Sequence, residues 1–299
     1  AAMLYTSGTT GNPKGVMLSY ENLLSNMEGI IAREIITDED QTLALLPFHH
    51  VLPLMVTLVV VYSGASIVFV SRIASKEMLE ALGKNRVTIM VGVPRVYKLL
   101  ADGIKSQIES SFFIRQIYKS TKFIKSMKIR KVIFGKVHKK LGNNLKQLIS
   151  GGAKLDVEVG ELFERLGFFV TEGYGLTETS PIIAVATITE RKLGTVGKLL
   201  PKTEVKIVED EIWVKGPQVM KGYYNKPDKT KEIITEDGWL KTGDLGDLDS
   251  EGYLTVKGRK SSMIVLSNGK NIDPEAIETK IQAISKNLIK ELGSVAKNE

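Results

Sequence analysis

Between Leu4 and about Ala184, short apolar runs alternate with helical stretches, and this alternation constrains the fold more than any other feature of the chain. The runs TLALLPF, ASIVFVS, VTIMVGVP, LKQLISG and FFVTEGYG are strand-like, and stretches such as KEMLEALGKN and VEVGELFERLG separate them with helical periodicity. Strands that are apolar on both faces must be covered on both. The pattern therefore predicts an α/β fold: a mostly parallel sheet flanked by helices. From Gly194 to Gly258 the texture changes to short strands with glycine-rich turns (GTVGKLL, TEVKIVED, EIWVKGP, GYLTVKG), which predicts a small, largely antiparallel β subdomain. A further strand, MIVLS, a turn at NGK and a helix from about Pro274 follow. The expected units are a core over 1–185, a β-rich subdomain over 186–257 and a third unit over 258–299.

Composition removes several function classes. With no cysteine in 299 residues, disulfides, thiolate metal sites and a cysteine nucleophile are excluded, and a reducing cytoplasm is the expected location. The 20 residues from Val51 to Val70 carry no charge and are nominally long enough to span a bilayer. Pro53 and the SGAS tetrapeptide instead favour a buried helix, a turn and a strand. The net charge of +7 is local: 12 Lys/Arg face one acid, Glu109, between Lys105 and Lys146, which leaves −4 for the rest. That distribution argues against a nucleic-acid-binding surface spread over the protein. Within the basic stretch, Lys119, Lys122, Lys125, Lys128 and Lys131 recur every three residues, while Phe113, Ile117, Ile124 and Met127 fall at helical spacing on another side. A basic amphipathic helix over residues 112–140 would suit peripheral contact with an anionic membrane; a solvated face over a core contact is the alternative.

The densest candidate for chemistry is YTSGTTGNPKGVMLS, Tyr5 to Ser19. Backbone amides with no bulky side chains over them can cradle an anion, hydroxyls add donors, and Lys14 adds a mobile charge suited to phosphate. AAMLY before it reads as a strand end and SYENLLSNMEGIIARE after it as a helix capped by Ser19, which suggests a strand–loop–helix phosphate site. A polar surface loop is the alternative. The pattern G-x-x-x-x-G-K-[ST] does not fit, because Gly15 follows the lysine. EGYGLTET, LISGGAKL, WLKTGDLGD and LPFHHVLP are further candidate segments, and no nucleophile–His–acid signature appears.

YTSGTTGNPKGV resembles the phosphate-loop signature of the adenylate-forming, or AMP-binding, superfamily. EGYGLTETSP, GWLKTGDLGDLDSEGYLTVKGRK and GKNIDPEAIE continue the resemblance in the family's order over nearly the whole chain. It implies the large-domain fold of those enzymes, truncated here at both ends. Family members carry a long portion before the loop and a mobile lid domain after it, and ISKNLIKELGSVAKNE has no counterpart of the lid's late glycine–lysine motif. Poor turnover by this chain alone is the corresponding expectation.

The implied reaction joins ATP and a carboxylic acid into an acyl-adenylate with Mg²⁺ present, after which a thiol such as coenzyme A displaces AMP. By resemblance, Thr6, Ser7, Gly8, Thr9, Thr10, Gly11 and Lys14 hold the outer phosphates. Tyr174, flanked by Gly173 and Gly175, stacks on adenine, Thr177 donates to a phosphate oxygen and Glu178 ligates Mg²⁺. Gly151, Gly152 and Ala153 lie against adenine and the acyl group, Asp244 accepts from the ribose hydroxyls, and Arg259 sits near ribose and phosphate. His50 would meet the acyl carboxylate; a satisfied core histidine is the alternative. For Glu178 the alternative is an exposed strand-end turn, and for Gly151–Ala153 a plain strand-to-helix turn. Ser261 departs from the family's hinge, which has Asp or Lys there, and Asp247 and Asp249 are expected in a polar hairpin.

Amino-acid-activating relatives pair the substrate ammonium with an aspartate near LPFHHVLPLM, but no acid occurs from Gln41 to Lys76. A buried ammonium without a counter-charge would be costly, whereas an aliphatic tail suits that apolar stretch. The chain is most similar to long-chain fatty acid–CoA ligases, which carry a basic insertion before LISGGA. Transfer to a carrier protein, activation of an aryl acid and a non-catalytic nucleotide-binding fragment remain the alternatives.

Overall fold

The structure, a computed structural model, describes residues 1–6, 13–70, 75–262, 264–265 and 271–272. Ser7, Gly8, Thr9, Thr10 and Gly11 of the proposed phosphate loop, the NGK turn and the helix expected from Pro274 lie outside the described residues.

Strand β1 (Ala2–Thr6) pairs antiparallel with β2 (Lys14–Leu18), in a register that sets Thr6 opposite Lys14. Helix α1 (Tyr20–Ile31) begins only after β2, with Ser19 Oγ accepting from the Asn22 amide and Asn22 Oδ1 from the Ser19 amide. The strand–loop–helix expectation is thus corrected. The glycine-rich stretch joins a β-hairpin, and five strand residues separate it from the helix N-terminus. The reason is visible in KGVML, where Val16 and Leu18 are buried with the period of a strand.

The chain then alternates as expected: β3 (Gln41–Ala44), α2 (Val51–Tyr62), β4 (Ser66–Phe69), α3 (Ser75–Lys84), β5 (Ile89–Gly92), and α4 (Pro94–Glu109). Helices α5 (Phe112–Ser120), α6 (Met127–Ile133) and α7 (Gly135–Lys140) precede β6 (Gln147–Ser150), α8 (Val157–Leu166) and β7 (Phe169–Gly175). Strands β8 (Ile182–Val185) and β9 (Lys198–Leu199) complete a seven-stranded sheet of order β4-β3-β5-β6-β7-β8-β9. Its first five strands are parallel and the last two antiparallel. In β5 the alternation serves two cores at once. Met90 packs with Leu43, Leu148 and Phe163 on one face, while Ile89 and Val91 pack with Met55, Val59 and Val185 on the other. The uncharged segment from Val51 folds as α2, a turn and β4, and among the described residues no helix is long and apolar enough to cross a membrane.

Two sequence readings change here. GTVGKLL bridges two sheets rather than belonging to one: Lys198–Leu199 extends the large sheet, while the Val196 amide donates to the Leu254 carbonyl and the Leu254 amide to the Gly197 carbonyl at the start of β14. The single amphipathic helix expected over 112–140 is three short ones, interrupted between Ser120 and Met127. A three-residue step turns a helical position by about 60° from alignment, so five successive lysines sweep around the axis rather than share a face.

The four-stranded antiparallel sheet of the β subdomain comprises β10 (Glu204–Val208), β11 (Glu211–Lys215), β13 (Leu240–Leu248) and β14 (Leu254–Arg259) in that order. Between them, β12 (Gly222–Tyr223) leaves to pair with β2, and α9 (Pro227–Ile233) follows with Pro in its first turn. Asp249 accepts from the Glu251 and Tyr253 amides in the β13–β14 turn, and Asp247 pairs with Lys257, so both aspartates serve the hairpin. A short pair, β15 (Ile264–Val265) and β16 (Asn271–Ile272), ends the described chain.

Gly175 and Gly173 differ sharply in what surrounds them. A Cβ on Gly175 would lie 1.7 Å from the Pro181 carbonyl oxygen, whereas one on Gly173 would meet nothing closer than 3.6 Å. Gly175→Ala is expected to cost about 3 kcal/mol by forcing β7 from β8, and Gly173→Ala less than about 1 kcal/mol. Urea denaturation of the two variants checks this contrast.

Candidate functional site

Parallel strands deliver their carboxyl ends to one edge of a sheet, and loops leaving that edge are the natural place for a ligand. Here Ser150, Gly151 and Gly152 leave β6, while Gly173, Gly175, Thr177 and Glu178 end or follow β7. All of them line a cavity of about 1140 Å³. Bare backbone is what opens it: a Cβ on Gly151 would lie 3.3 Å from Leu52 of α2, and Gly152 has a φ of +83°. Thr6 and Lys14 enter from the β1–β2 hairpin, His50 from the start of α2, and Arg259 and Ser261 from the end of β14 and beyond.

Ten sequence-predicted residues thus share one cavity: Thr6, Lys14, His50, Gly151, Gly152, Gly173, Gly175, Thr177, Glu178 and Arg259. His50 is exposed, not a core histidine, and its ring lies 4.2 Å from that of His49. Ala153 is exposed beyond Gly152 and does not line the cavity.

Tyr174 and Asp244 stand behind the wall. The Tyr174 hydroxyl donates to Asp244 Oδ2 at 2.8 Å, and Arg259 Nε donates to Asp244 Oδ1 at 2.9 Å. The Asp244–Arg259 pairing follows from the hairpin register, which sets these two residues opposite each other. Burial pushes the Asp244 carboxyl up while Arg259 opposes the shift, and burial next to Asp244 drives the Tyr174 phenol far up. Tyr174 packs in a core cluster with Ile183, Ala184, Ile212, Val214 and Leu254, so its ring faces protein in this structure.

A second relay joins the hairpin to the strand ends. The Tyr223 hydroxyl donates to Glu178 Oε1 at 2.7 Å, and Lys14 Nζ lies 4.5 Å above the centre of the Tyr223 ring. Burial and the neighbouring Glu178 charge raise the Tyr223 phenol, which keeps it a donor. Sequence reasoning missed Tyr223, since nothing in KGYYN signals it and only the β12–β2 pairing brings it beside Lys14. It also missed Ser150, whose buried Oγ has no hydrogen-bond partner in the structure although it lines the cavity. Lys241 and Lys260 add two more cations to the lining, and Lys260 Nζ is 3.2 Å from Glu211 Oε2.

Part of the lining is an apolar cluster of Ile30, Ile35, Ile36, Met55, Val59 and Val185. No group of three His, Cys, Asp or Glu able to hold a metal occurs among the described residues. A divalent ion here would rely on one carboxylate, such as Glu178, together with ligand oxygens, which is how Mg²⁺ beside phosphates is commonly held.

The sequence profile described as AMP-binding enzyme matches residues 1–224. The chain is 33% identical over 304 aligned residues to the long-chain-fatty-acid–CoA ligase FadD15 of Mycobacterium bovis, covering 95% of this chain and 50% of that protein. It is 32% identical to the chloroplastic long-chain-fatty-acid–[acyl-carrier-protein] ligase AEE15 of Arabidopsis thaliana, covering 93% and 47% respectively. Among solved structures, it superposes with a TM-score of 0.75 and 29% identity on the Bacillus subtilis o-succinylbenzoate–CoA synthetase MenE in complex with ATP and magnesium, covering 95% of this chain and 55% of that one. The chain therefore spans about half the length of the relatives it matches.

Buried Glu172, on β7 between the two glycine turns, accepts from the Leu155 amide at 3.2 Å and so steadies the turn that follows β6. Burial pushes its carboxyl up from 4.5 to about 7. Because the fold favours the protonated form, this contribution to stability is complete below pH 4.5 and is lost as pH rises through about 7. Glu172→Gln keeps the acceptor without the charge. Its thermal stability relative to the parent chain should rise across that interval, by on the order of 3 kcal/mol in total, and then level off. Calorimetric melting at a series of pH values measures it.

Proposed function

The chain belongs to the AMP-binding enzyme family, and from that premise we propose that it activates a long-chain fatty acid as an acyl-adenylate and passes the acyl group to coenzyme A. One observation carries this reading. A single cavity is lined both by Lys14, Thr177, Glu178 and Arg259 and by an aliphatic cluster of Ile30, Ile35, Ile36, Met55 and Val59. A nucleotide phosphate chain fits the first group and an aliphatic tail the second, with the reacting carboxylate between them. Each buried methylene would contribute about 0.8 kcal/mol, so a tail of many carbons is recognised by length alone.

In the first half-reaction a carboxylate oxygen bonds to the α-phosphorus as the bond to pyrophosphate breaks. Lys14 and Arg259 would offset charge on the phosphates, Thr177 would donate to a phosphate oxygen, and Glu178 would hold Mg²⁺. Bound there, Mg²⁺ would supply charge neutralisation to the phosphates. Tyr223 keeps the Glu178 carboxylate turned into the cavity and Arg259 stays anchored to Asp244, so neither charge must reorganise as the reaction proceeds. Asp244 retains lone pairs for ribose hydroxyls beside the cavity, and the unpartnered Ser150 hydroxyl offers a donor to the adenylate. In the second half-reaction a thiolate sulfur bonds to the acyl carbon and AMP departs with the bonding pair.

Two measurements test this. Calorimetric titration should show an adenylate carrying a hexadecyl chain binding at least tenfold tighter than AMP, and equal affinities would overturn the acyl assignment. Pyrophosphate release from ATP should depend on palmitate, with thioester appearing only when coenzyme A is added; thioester formed solely on a carrier protein would reassign the acceptor. Val59→Phe, which narrows the apolar part of the cavity, should weaken the hexadecyl adenylate about tenfold while sparing an octyl one, and the same titrations read this out.

A further inference from the structure

Residues 112–133 present an apolar surface that the fold leaves uncovered. Phe113 is 79% exposed, Phe123 83% and Val132 81%, and Phe112, Ile114, Ile117, Ile129 and Ile133 are exposed beside them. Helix α5 buries no residue. In α6 the usual arrangement is inverted. Arg130 turns inward, donating from Nε to the Ile124 carbonyl at 2.7 Å and from Nη1 to the Glu164 carbonyl at 2.9 Å, and half-buried Lys131 reaches the Asn143 carbonyl at 3.0 Å. Ile129, Val132 and Ile133, spaced as one helical face, point to the outside instead. A soluble helix packs such a face against its core, so an exposed one marks a surface built to meet something apolar.

The charges around it indicate what that is. No acid occurs between Glu109 and Asp156, while Arg115, Lys119, Lys122, Lys125, Lys128 and Lys136 are exposed among the aromatic and aliphatic side chains. The large cavity takes no residue from this segment, so these apolar groups are separate from the candidate site. Aromatic and branched aliphatic side chains interleaved with lysines on short helices match a bilayer interface, where rings enter the headgroup boundary and ammonium groups meet lipid phosphates.

We propose that α5, the Phe123 turn and α6 form a docking surface for an anionic lipid bilayer. The three-helix arrangement suits this better than the single helix expected from the sequence, because it brings Phe113, Phe123 and Val132 outward on three separate segments. The surface does not depend on what the cavity binds. Its use, delivery of an acid dissolved in lipid, rests on the acyl reading above, and vesicle binding tests the surface alone.

The test is flotation of the 299-residue chain with phosphatidylcholine vesicles, with and without phosphatidylglycerol, at low and high salt. The chain should float with the anionic vesicles, not with the neutral ones, and salt should release it. Two triple variants, Phe113→Ser/Phe123→Ser/Val132→Ser and Lys119→Glu/Lys122→Glu/Lys125→Glu, should each bind about tenfold more weakly, with melting curves confirming that they fold. Leu24→Ser, which changes an exposed leucine on α1, should bind as the parent does. Equal flotation with neutral vesicles, or triple variants that bind like the parent, would overturn the proposal. Self-association lost in the same variants, with no vesicle binding, would overturn it in favour of a second copy.

Discussion

The parallel ladder between β6 and β7 is the constraint on which the site depends. Its register sets Ser150 beside Glu172, so the ladder stops where Gly151–Gly152 leave β6, beside Gly173–Gly175 of β7, which runs on to pair with β8. A side chain at Gly151 would close the space between the sheet and α2, where Leu52 already stands 3.3 Å from the Cβ position. Glu172 ties the ladder to the following turn through the Leu155 amide. Buried as it is, that carboxyl links the geometry of the site to proton uptake.

Around this opening, charged groups are held by partners from distant parts of the chain. Glu178 is oriented by Tyr223, whose ring also carries Lys14, so one tyrosine joins the hairpin to the end of β7. Asp244 receives Tyr174 on one oxygen and Arg259 on the other. Both arrangements keep a carboxylate hydrogen-bonded and aimed, and at Asp244 the Arg259 and Tyr174 partners oppose the upward push of burial on its carboxyl. The apolar part of the lining arises because α1 and α2 pack their apolar faces on the same side of the sheet.

Much of this was legible in the primary structure, and the exceptions have physical causes. Gly151, Gly152, Gly173, Gly175, Thr177, Glu178 and Arg259 come together because they sit at strand ends, and strand ends are marked by apolar runs that stop. The strand–loop–helix reading near Lys14 placed the helix correctly but absorbed KGVML into the loop, because Lys14 and Gly15 mask a strand only five residues long whose Val16 and Leu18 are buried. Tyr223 was invisible because its partners lie far away in sequence and its strand is only two residues long. The basic segment was legible as basic and amphipathic, but its lysine spacing suggested a face that a helix of 3.6 residues per turn cannot present.

By itself the sequence determined the α/β alternation, the antiparallel hairpin that brackets Asp244 and Arg259, and the family signature, since each depends on residues close together along the chain. Only the tertiary structure decided that Lys14, Tyr223 and Glu178 meet, that Tyr174 turns toward Asp244, and that α6 directs Arg130 and Lys131 inward and its isoleucines and valine outward. Those outcomes depend on which surfaces pack against each other. Packing is set by sheet register and by the burial of side chains separated by tens to hundreds of residues, which no local spacing encodes.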